Sequence, residues 1–556
     1  MPGRLIQIGP SGADLFPRVV ETAELPRSIQ YIALSHSWGR EKFFCLTKSN
    51  IGELKQRIPF HELSKVFQDS IIVVRRLGIR YIWIDSLCII QDQLEDWQTE
   101  SRKMGDLYQN SFCNIAATGF PDGRRGLFMD RDPVGLYTER IWIHEEIIWQ
   151  DGKKMPRGQY ASLDFHLWED GVTEAPLNRR AWVVQERLLS PRTLHFGTNQ
   201  LLWECYENES CELFPDGLPD EVTTMKVKQK SALKSSLMGH FPTTSDENSS
   251  LLYESWSDVI SVYAKGSLSH DKDKLVAISG LASKFQSFFQ GGEYVVGMWK
   301  QNLLSQLLWE TRFGGINGVA FSQRPKVYRA PSWSWASIDG EIIPGRPGSC
   351  EKKHCYTFTE VLDIRVIAVD NNPMGQIKSA DLRLRGPLVC ATLVTDGEEN
   401  RVPPVINWTE YLFVLLGGRE EHKVLIAVYA DITRAFDSSR TLDSNETSRS
   451  TTPCQLSWTL GPEIMVARTG EITFLPIQAK VTKLGAYFEL QGLILEQTME
   501  EKSEQAGKVF RRMGKFEVVD PAECVKFMSA MPVLPSITFG DFVPLPCFKR
   551  DTFTII

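Results

Sequence analysis

Three short segments in the first 200 residues place acidic, hydroxyl and imidazole groups directly beside apolar runs. The segments are Tyr31–Gly39, Tyr81–Asp92 and Asn178–Ser190. Ser35 and His36 lie in the first segment, Asp85 in the second and Glu186 in the third. A desolvated carboxylate suits proton transfer or the stabilisation of a developing cation. Polar groups in such apolar surroundings need buried partners or a ligand. These four residues are therefore the first candidates for a functional site.

The elements that must position them follow a strand–helix–strand pattern. Strands are predicted at Tyr31–Ser35, Tyr81–Asp85 and Phe112–Ala117, the second apolar on both faces as in a central parallel strand. Apolar residues at helical spacing predict a helix from Leu63 to Leu77, which Gly78 ends. A second helix follows Asp92. This order predicts an α/β domain built on a parallel sheet.

Polar residues just beyond the predicted strands lie where open α/β sheets bind ligands. The binding candidates, together with one glutamine from the third segment, are Ser35, His36, Trp38, Gly39, Ser86, Cys88 and Gln185. Two interpretations remain open at this point. Either these side chains line a pocket, or His36 and Asp85 tie loops together by hydrogen bonds.

Glu186 and Asp85 are the catalytic candidates. Glu186 shares a predicted helical face with Trp182 and Leu189, and this apolar flank is expected to raise the pKa of its carboxyl. A salt bridge from Glu186 to a neighbouring arginine is the alternative. Trp182 is expected to be buried, together with Trp83 and Leu188.

Several other groups have simpler interpretations. Asp92 and Glu95 have the spacing of a helix-capping pair. Cys88 lacks a nucleophile motif, which favours a structural thiol. No cysteine–histidine spacing fits a zinc site, so no metal is assigned. The chain has no GxxxxGK[ST], GxGxxG, HExxH or GxSxG motif, which argues against the common nucleotide-binding, zincin and hydrolase chemistries.

Length and composition predict a soluble protein of several domains. A chain of 556 residues is too long to fold around a single hydrophobic core, and the net charge of −7 gives no general affinity for nucleic acid. No apolar run reaches the length of a membrane span, and the start of the chain lacks a signal peptide. The 11 cysteines are scattered singly, which favours reduced thiols in the cytoplasm.

The residue composition and the spacing of apolar residues change along the chain. Predicted boundaries are 1–215 for the α/β domain, 216–250 for a linker or exposed loop, 251–345 for a helical segment and 346–556 for a β-rich domain. Helices are predicted there at 251–264, 274–289 and 294–309, and the β-rich domain includes a predicted strand at Lys508–Val518. The helical segment also includes Ala330 to Gly340, which contains the motif Pro-Ser-Trp-Ser-Trp-Ala-Ser. A further Ser/Thr-rich stretch, Asp437 to Pro453, is expected to be a loop.

The three segments, in order and over roughly residues 31 to 190, resemble the fungal HET (heterokaryon incompatibility) domain. The first resembles its A-L-S-[YH]-x-W-G block and the second its W-I-D-x-L-C-I-x-Q-D block. The third is similar to R-x-W-x-x-Q-E-x-x-L-S-x-R, matched here from Arg180 to Arg192. The segment at Ala330 also looks like one common downstream in such proteins. The resemblance implies a TIR-like parallel sheet.

The resemblance implies a role in nonself recognition and programmed cell death, with a protein partner of unknown identity and a homo-oligomer left open. Some TIR domains cleave NAD through a glutamate, so an NAD glycohydrolase using Glu186 or Asp85 is the alternative, with NAD as a substrate. No cofactor is assigned. An accessory enzyme of fungal metabolism is a third hypothesis, which the residues neither support nor exclude.

Overall fold

The structure, a computed structural model, divides into two compact units. Unit 1 comprises Met1–Asn248, Gly266–Ser269 and Val276–Phe288, and unit 2 comprises Ser249–Lys265, His270–Leu275 and Phe289–Ile556. The residues described are 1–9, 16–39, 43–131, 140–148, 154–161, 164–219, 222, 233–234, 237, 246–289, 292–312, 322–346, 355–393, 410–416, 423–430, 472–481, 488–498, 508–518, 524, 527 and 550–556. Most of the predicted linker at 216–250 and the whole stretch 437–453 lie outside them.

Unit 1 is built on one eight-stranded sheet. Its strands are β1 (Arg4–Gln7), β2 (Arg18–Glu21), β3 (Ile32–Ser35), β4 (Tyr81–Trp83), β5 (Cys113–Ala116), β10 (Arg192–Phe196), β11 (Leu201–Cys205) and β12 (Glu209–Cys211). Their order across the sheet is β12-β11-β10-β5-β3-β4-β1-β2, so the three strands predicted from the sequence, which are β3, β4 and β5, all belong to it.

The sheet is mixed, which corrects the expectation of a parallel one. β3 pairs in parallel with β4 and β5, and β5 pairs in parallel with β10. The flanking pairs β1–β2, β1–β4, β10–β11 and β11–β12 are antiparallel. Short connections after β10 and β11 permit only antiparallel neighbours, whereas parallel pairing requires a longer crossover. The parallel centre alone follows the predicted pattern.

Helices connect the central strands. They are α1 (Ile51–Leu54), α2 (Lys65–Arg76), α3 (Asp85–Cys88), α4 (Leu94–Gln109) and α5 (Ala181–Leu189). The prediction for α2 is confirmed: its apolar stripe is buried, except that Leu77 follows the helix and is 48% exposed, and Gly78 ends it with a φ of 72°. The capping prediction for Asp92 is wrong, because its Oδ1 accepts the Lys48 amide 2.9 Å away and no side chain caps α4.

Helix α5 carries the third segment and is held from two sides. A 3-10 turn over Pro176–Arg179 precedes it. On one side, Arg187 Nε donates to the buried Glu204 Oε2 at 2.6 Å, which ties α5 to β11. Trp83 and Leu188 are buried as expected, but Trp182 is only half-buried. On the other side, the Gly280 amide donates to Gln185 Oε1 at 3.2 Å. Neither contact involves Trp182.

Small strands outside the main sheet complete unit 1. They form two separate antiparallel pairs: β6 (Arg140–Ile143) with β9 (Gly158–Ala161), and β7 (Ile147–Ile148) with β8 (Lys154–Met155). They expose Ile141, Trp142 and Ile148 to solvent.

Unit 2 begins with a tryptophan-rich core. Its helices are most of α6 (Asp246–Tyr263) and α8 (Leu303–Gln306), whereas α7 (Ser279–Phe288) belongs to unit 1. The predicted helix over 294–309 is wrong. That stretch forms β13 (Tyr294–Val295), β14 (Met298–Trp299), a 3-10 turn and α8, because Val296 and Gly297 adopt positive φ values and form a sharp turn.

That turn explains the Trp-Ser-Trp motif. The indole nitrogens of Trp256 and Trp335 both donate to the Gly297 carbonyl, at 3.0 and 2.9 Å, and Ser334 Oγ donates to the Val296 carbonyl at 2.7 Å. A side chain at Gly297 would collide with the Trp335 ring. The motif is therefore part of a packed core.

The rest of unit 2 is rich in strands, and the β-rich character predicted for the C-terminal region is confirmed. β15 (Glu310–Thr311) pairs with β16 (Ile342–Ile343), and a ten-stranded sheet follows. Its strands are β17 (Cys355–Thr357), β18 (Glu360–Ala368), β19 (Ile377–Gly386), β20 (Val389–Leu393), β21 (Glu410–Leu416), β22 (Lys423–Ala430), β23 (Ile472–Val481), β24 (Phe488–Gln497), β25 (Lys508–Val518) and β26 (Asp551–Ile555). Within the described residues, no helix is long and apolar enough to cross a membrane.

Candidate functional site

The first two segments meet at one edge of the central sheet. β3 and β4 are parallel neighbours, with Ala33 opposite Trp83, so their carboxyl ends point the same way. His36 directly follows β3. Asp85 follows β4 at the first position of α3 rather than in the strand itself. The sheet thus brings the imidazole and the carboxylate together.

Asp85 is the most connected carboxylate at this edge. His36 Nε2 lies 2.9 Å from its Oδ1, the Ser86 amide donates to the same oxygen at 2.7 Å, and Trp38 Nε1 donates to Oδ2 at 2.7 Å. Since a carboxylate only accepts, Nε2 is the protonated nitrogen of His36 in this pair. The Asp85 side chain is 26% exposed and that of His36 only 2%. Asp85 is therefore the part of the pair that solvent or a ligand can reach.

The pKa of Asp85 lies below its usual value. Burial alone raises the pKa of a carboxyl, but the His36 charge and the hydrogen bonds from His36 and Trp38 outweigh it. Because its pKa is lowered, Asp85 is ionised at neutral pH. It presents a fixed negative charge at the strand ends.

Glu186 reaches the same edge from α5. Its Oε2 accepts hydrogen bonds from the Ser35 hydroxyl and, at 2.9 Å, from the Tyr108 hydroxyl. Asn114 Nδ2 on β5 donates to Ser35 Oγ at 3.0 Å. Glu186 is 6% exposed and Ser35 1%. The third segment is thereby joined to the first through buried side chains.

The pKa of Glu186 is displaced in the opposite direction. Burial raises it, and the Asp85 charge adds to that effect, while the Ser35 and Tyr108 hydrogen bonds and the Arg180 charge oppose it. The two candidate carboxylates therefore differ: Asp85 favours the ionised form, and Glu186 favours the protonated form more than a free glutamate does. Two carboxyl groups whose pKa values are pushed apart are the usual arrangement for separate acid and anion roles.

Arg180 connects the two carboxylates. Its guanidinium donates to the His36 backbone carbonyl, and its charge lowers the pKa of both Asp85 and Glu186. The alternative of a salt bridge from Glu186 to a neighbouring arginine is wrong, because no arginine among the described residues pairs with it and Arg180 acts on it only through its charge. The direct partners of Glu186 are two hydroxyl groups.

Aromatic rings enclose the imidazole of His36. The Phe67 ring meets it edge-on at 4.9 Å, Phe43 lies 5.9 Å away and Trp38 stacks parallel at 6.4 Å between centroids. These contacts fix the ring and exclude water from one side of the His36–Asp85 pair. Phe43 and Phe67 did not stand out in the sequence, since an apolar residue on a helix stripe or in a loop carries no site signal.

The remaining binding candidates have other surroundings. Gln185 accepts from the Gly280 amide at 3.2 Å, and its Nε2 is buried without a hydrogen-bond partner among the described residues. The Ser86 hydroxyl is also buried without such a partner. Burial raises the pKa of the Cys88 thiol to about 12, which is unfavourable for a nucleophile. Gly39 is exposed, with a φ of 70°.

Three members of the network were missed by sequence reasoning. Tyr108, Asn114 and Arg180 contact the candidates directly or through their charge. Tyr108 stood on the predicted stripe of a helix and Arg180 inside the third segment, so a signal was present for both. Asn114 lies inside a strand, where a polar residue facing a buried hydroxyl has no distinctive pattern. The described residues contain no group of three or more potential metal ligands from His, Cys, Asp and Glu.

A family comparison covers the same region. The model of the heterokaryon incompatibility protein family (HET) matches residues 31–186. This chain contains a HET domain. The match runs from Tyr31, at the start of the first segment, to Glu186 in the third, so the HET domain spans the whole network. Comparison with curated proteins and with solved structures gave no match.

Proposed function

We propose that this chain is an effector of heterokaryon incompatibility, which triggers programmed cell death after nonself recognition. The observation that carries the proposal is that the segments marking the HET domain converge on one network of hydrogen bonds and charges. The linked side chains lie far apart in the chain, 49 residues for His36 and Asp85 and 151 for Ser35 and Glu186, so the network holds the domain in one conformation. Such a rigid domain suits a module that acts through contact with a protein partner.

Expression in a fungal host tests this role. Full-length protein under an inducible promoter is expected to reduce viability while cellular NAD stays constant. Unimpaired growth in cells that contain abundant folded protein would refute the effector role.

An NAD glycohydrolase is the second candidate, and one observation favours it. An ionised, partly exposed Asp85 and a Glu186 with a raised pKa share one edge of the sheet, and the charge of Arg180 acts on both. In such a reaction the bond between ribose C1′ and nicotinamide breaks, nicotinamide leaves with the electron pair, and water adds to C1′ and loses a proton. The oxocarbenium-like ribosyl cation needs an anion beside it. Asp85 supplies that charge better than Glu186, because it is the ionised and accessible carboxylate.

Matched variants separate the two functions. Asp85→Asn and Glu186→Gln keep the shapes of the side chains and remove their charges. Asp92→Asn is the control, because Asp92 lies in the same segment but is exposed and outside the network. If the chain is an NAD glycohydrolase, wild type and Asp92→Asn are expected to deplete NAD, and Asp85→Asn is expected to release no nicotinamide. Killing without NAD turnover, retained by both charge variants, would reject the enzyme and leave the effector.

A further inference from the structure

Unit 2 contains an open pocket of about 410 Å³ beside the Trp-Ser-Trp motif. Four stretches of the chain form it: the segment that leads into and through the motif, the start of β19, one residue of β25 and Ile556. Its lining includes Arg324, Arg329, Lys378 and Arg511. The volume is in the range of pockets that bind small organic molecules.

Cations outnumber carboxylates in the lining. Four arginine or lysine side chains line the pocket, but Asp381 is its single aspartate or glutamate. Arg329 serves the fold, since its Nε donates to the Ala336 carbonyl at 2.8 Å and its NH2 lies 2.7 Å from Asp339. Lys378 differs: it is exposed and makes no hydrogen bond or ion pair with any described residue. It is the cation most available to a ligand.

The neighbouring cations are held in place. Arg324 donates to Ser337 Oγ at 3.1 Å and to the Arg512 carbonyl at 2.9 Å, so its guanidinium is oriented by the motif and by β25. Arg511 lies at the rim, where its NH2 meets Glu496 at 2.7 Å. Oriented arginines beside an exposed lysine that has no partner among the described residues are a usual setting for a carboxylate or phosphate.

The other side of the pocket is apolar and accessible. Val327 and Tyr328 are 78% and 52% exposed, and Pro325, Ala330 and Ala380 continue this surface into the pocket. Exposed apolar side chains beside a pocket offer a surface on which the apolar part of a ligand can pack. An apolar body resting on Tyr328 places an attached anion within reach of the cationic wall.

We propose that this pocket binds a small organic anion, whose carboxylate or phosphate group meets Lys378 and whose apolar body packs on Val327 and Tyr328. The proposal concerns unit 2 alone and does not depend on what the HET domain does.

Calorimetric titration of the full-length chain tests it with three probes of one shape: 1-naphthyl phosphate, 1-naphthoate and 1-naphthol. At least one anion is expected to bind about tenfold more tightly than 1-naphthol, with an affinity that falls as salt is added. The tighter of the two anions identifies the group. Equal binding of all three probes, or no binding of either anion, would overturn the proposal.

Variants on exposed residues assign the site. Lys378→Glu is expected to weaken binding of the anion about tenfold, and Val327→Ser to weaken binding of the naphthyl body. Arg383→Glu is the matched control, because Arg383 is exposed on the same strand but outside the pocket lining. An equal effect of Lys378→Glu and Arg383→Glu would show that only the general field of the sheet attracts the anion, and would reject the pocket.

Discussion

Ser35 and Glu186 lie 151 residues apart in the chain, yet the Ser35 hydroxyl donates to the Glu186 carboxyl inside the HET domain. A buried carboxyl that loses a donor keeps its desolvation penalty and loses the compensating bond. Tyr108 is the second hydroxyl donor to Glu186. The stability of the domain should therefore depend on Ser35 although its side chain is small.

Ser35→Ala is expected to lower the free energy of unfolding by about 1–3 kcal/mol, because Glu186 then retains one hydroxyl donor. Chemical denaturation of the full chain measures the change. Ser37→Ala is the control, since Ser37 is buried nearby and its side chain donates to none of the described residues. Equal effects of the two substitutions would contradict a specific role for the Ser35 hydroxyl.

Glu209, at the start of β12, predicts a pH dependence. Burial, and secondarily the charge of Glu204, raises the pKa of Glu209 from 4.5 to about 7. The folded state then binds the proton more tightly than the unfolded state. The contribution of Glu209 to stability is therefore fully present below pH 4.5 and is lost as the pH rises through about 7.

Glu209→Gln removes that titration. The variant is expected to match wild type near pH 5 and to be more stable at pH 8 by on the order of 1–3 kcal/mol. Thermal melting across this pH range measures the difference. A variant less stable than wild type at pH 8 would mean that the interactions of the Glu209 carboxylate outweigh its desolvation.

Helices α4 and α7 approach closely at two glycines. A Cβ at Gly280 would lie 2.7 Å from the Gly105 Cα and 2.7 Å from Gln185 Oε1 on α5. Both distances are shorter than side-chain contacts permit, and one of the atoms is backbone. The absence of side chains here lets three helices pack together behind the site.

Gly280→Ala is therefore expected to destabilise unit 1 by about 1–3 kcal/mol through overpacking. Gly52→Ala in α1 is the matched control, because a Cβ there meets nothing within 4 Å. Alanine favours helix, so the control should be neutral or slightly stabilising. Melting curves that rank the two variants in the reverse order would contradict the close approach.

Predictions of helices and strands were correct where the spacing of apolar residues reflects burial of one face of the element. The stripe of α2 follows from burial of one helix face, and β25 spans the residues predicted for it, Lys508–Val518. The stretch 294–309 also had helical spacing, but the indoles of Trp256 and Trp335 bind the turn at Gly297 instead. Distant contacts of this kind override local propensity and leave no periodic signal.

At the scale of the whole molecule, unit 1 includes chain segments far beyond the HET match. The Ser267 amide donates to the Arg179 carbonyl at 2.7 Å, and the Ala181 amide donates to the Ser267 carbonyl at 3.0 Å. The Gly280 amide on α7 donates to Gln185 Oε1 on α5 at 3.2 Å. These contacts hold the start of α5 and the residue next to Glu186.

A fragment of residues 1–288 is therefore expected to melt at a higher temperature and to express better than a fragment of residues 1–215, which lacks those partners. If the HET domain is the death-inducing part, the longer fragment should also impair growth of a fungal host more strongly. Equal melting temperatures for the two fragments would show that the later segments add nothing to unit 1. A stable, abundant but harmless 1–288 would place the effector function elsewhere.

The sequence by itself determined the α/β character of the HET domain, the central strands and most of the site candidates, because apolar periodicity and residue type are local properties. It also placed Asp85 and His36 at one sheet edge, since parallel neighbours share a carboxyl end. Only the tertiary structure decided that the sheet is mixed and that Glu186 pairs with Ser35 and Tyr108. It alone separated a partly exposed, ionised Asp85 from a buried Glu186 whose pKa is raised. The reason is physical: hydrogen-bond partners and desolvation depend on residues that are distant in the chain and adjacent only after folding.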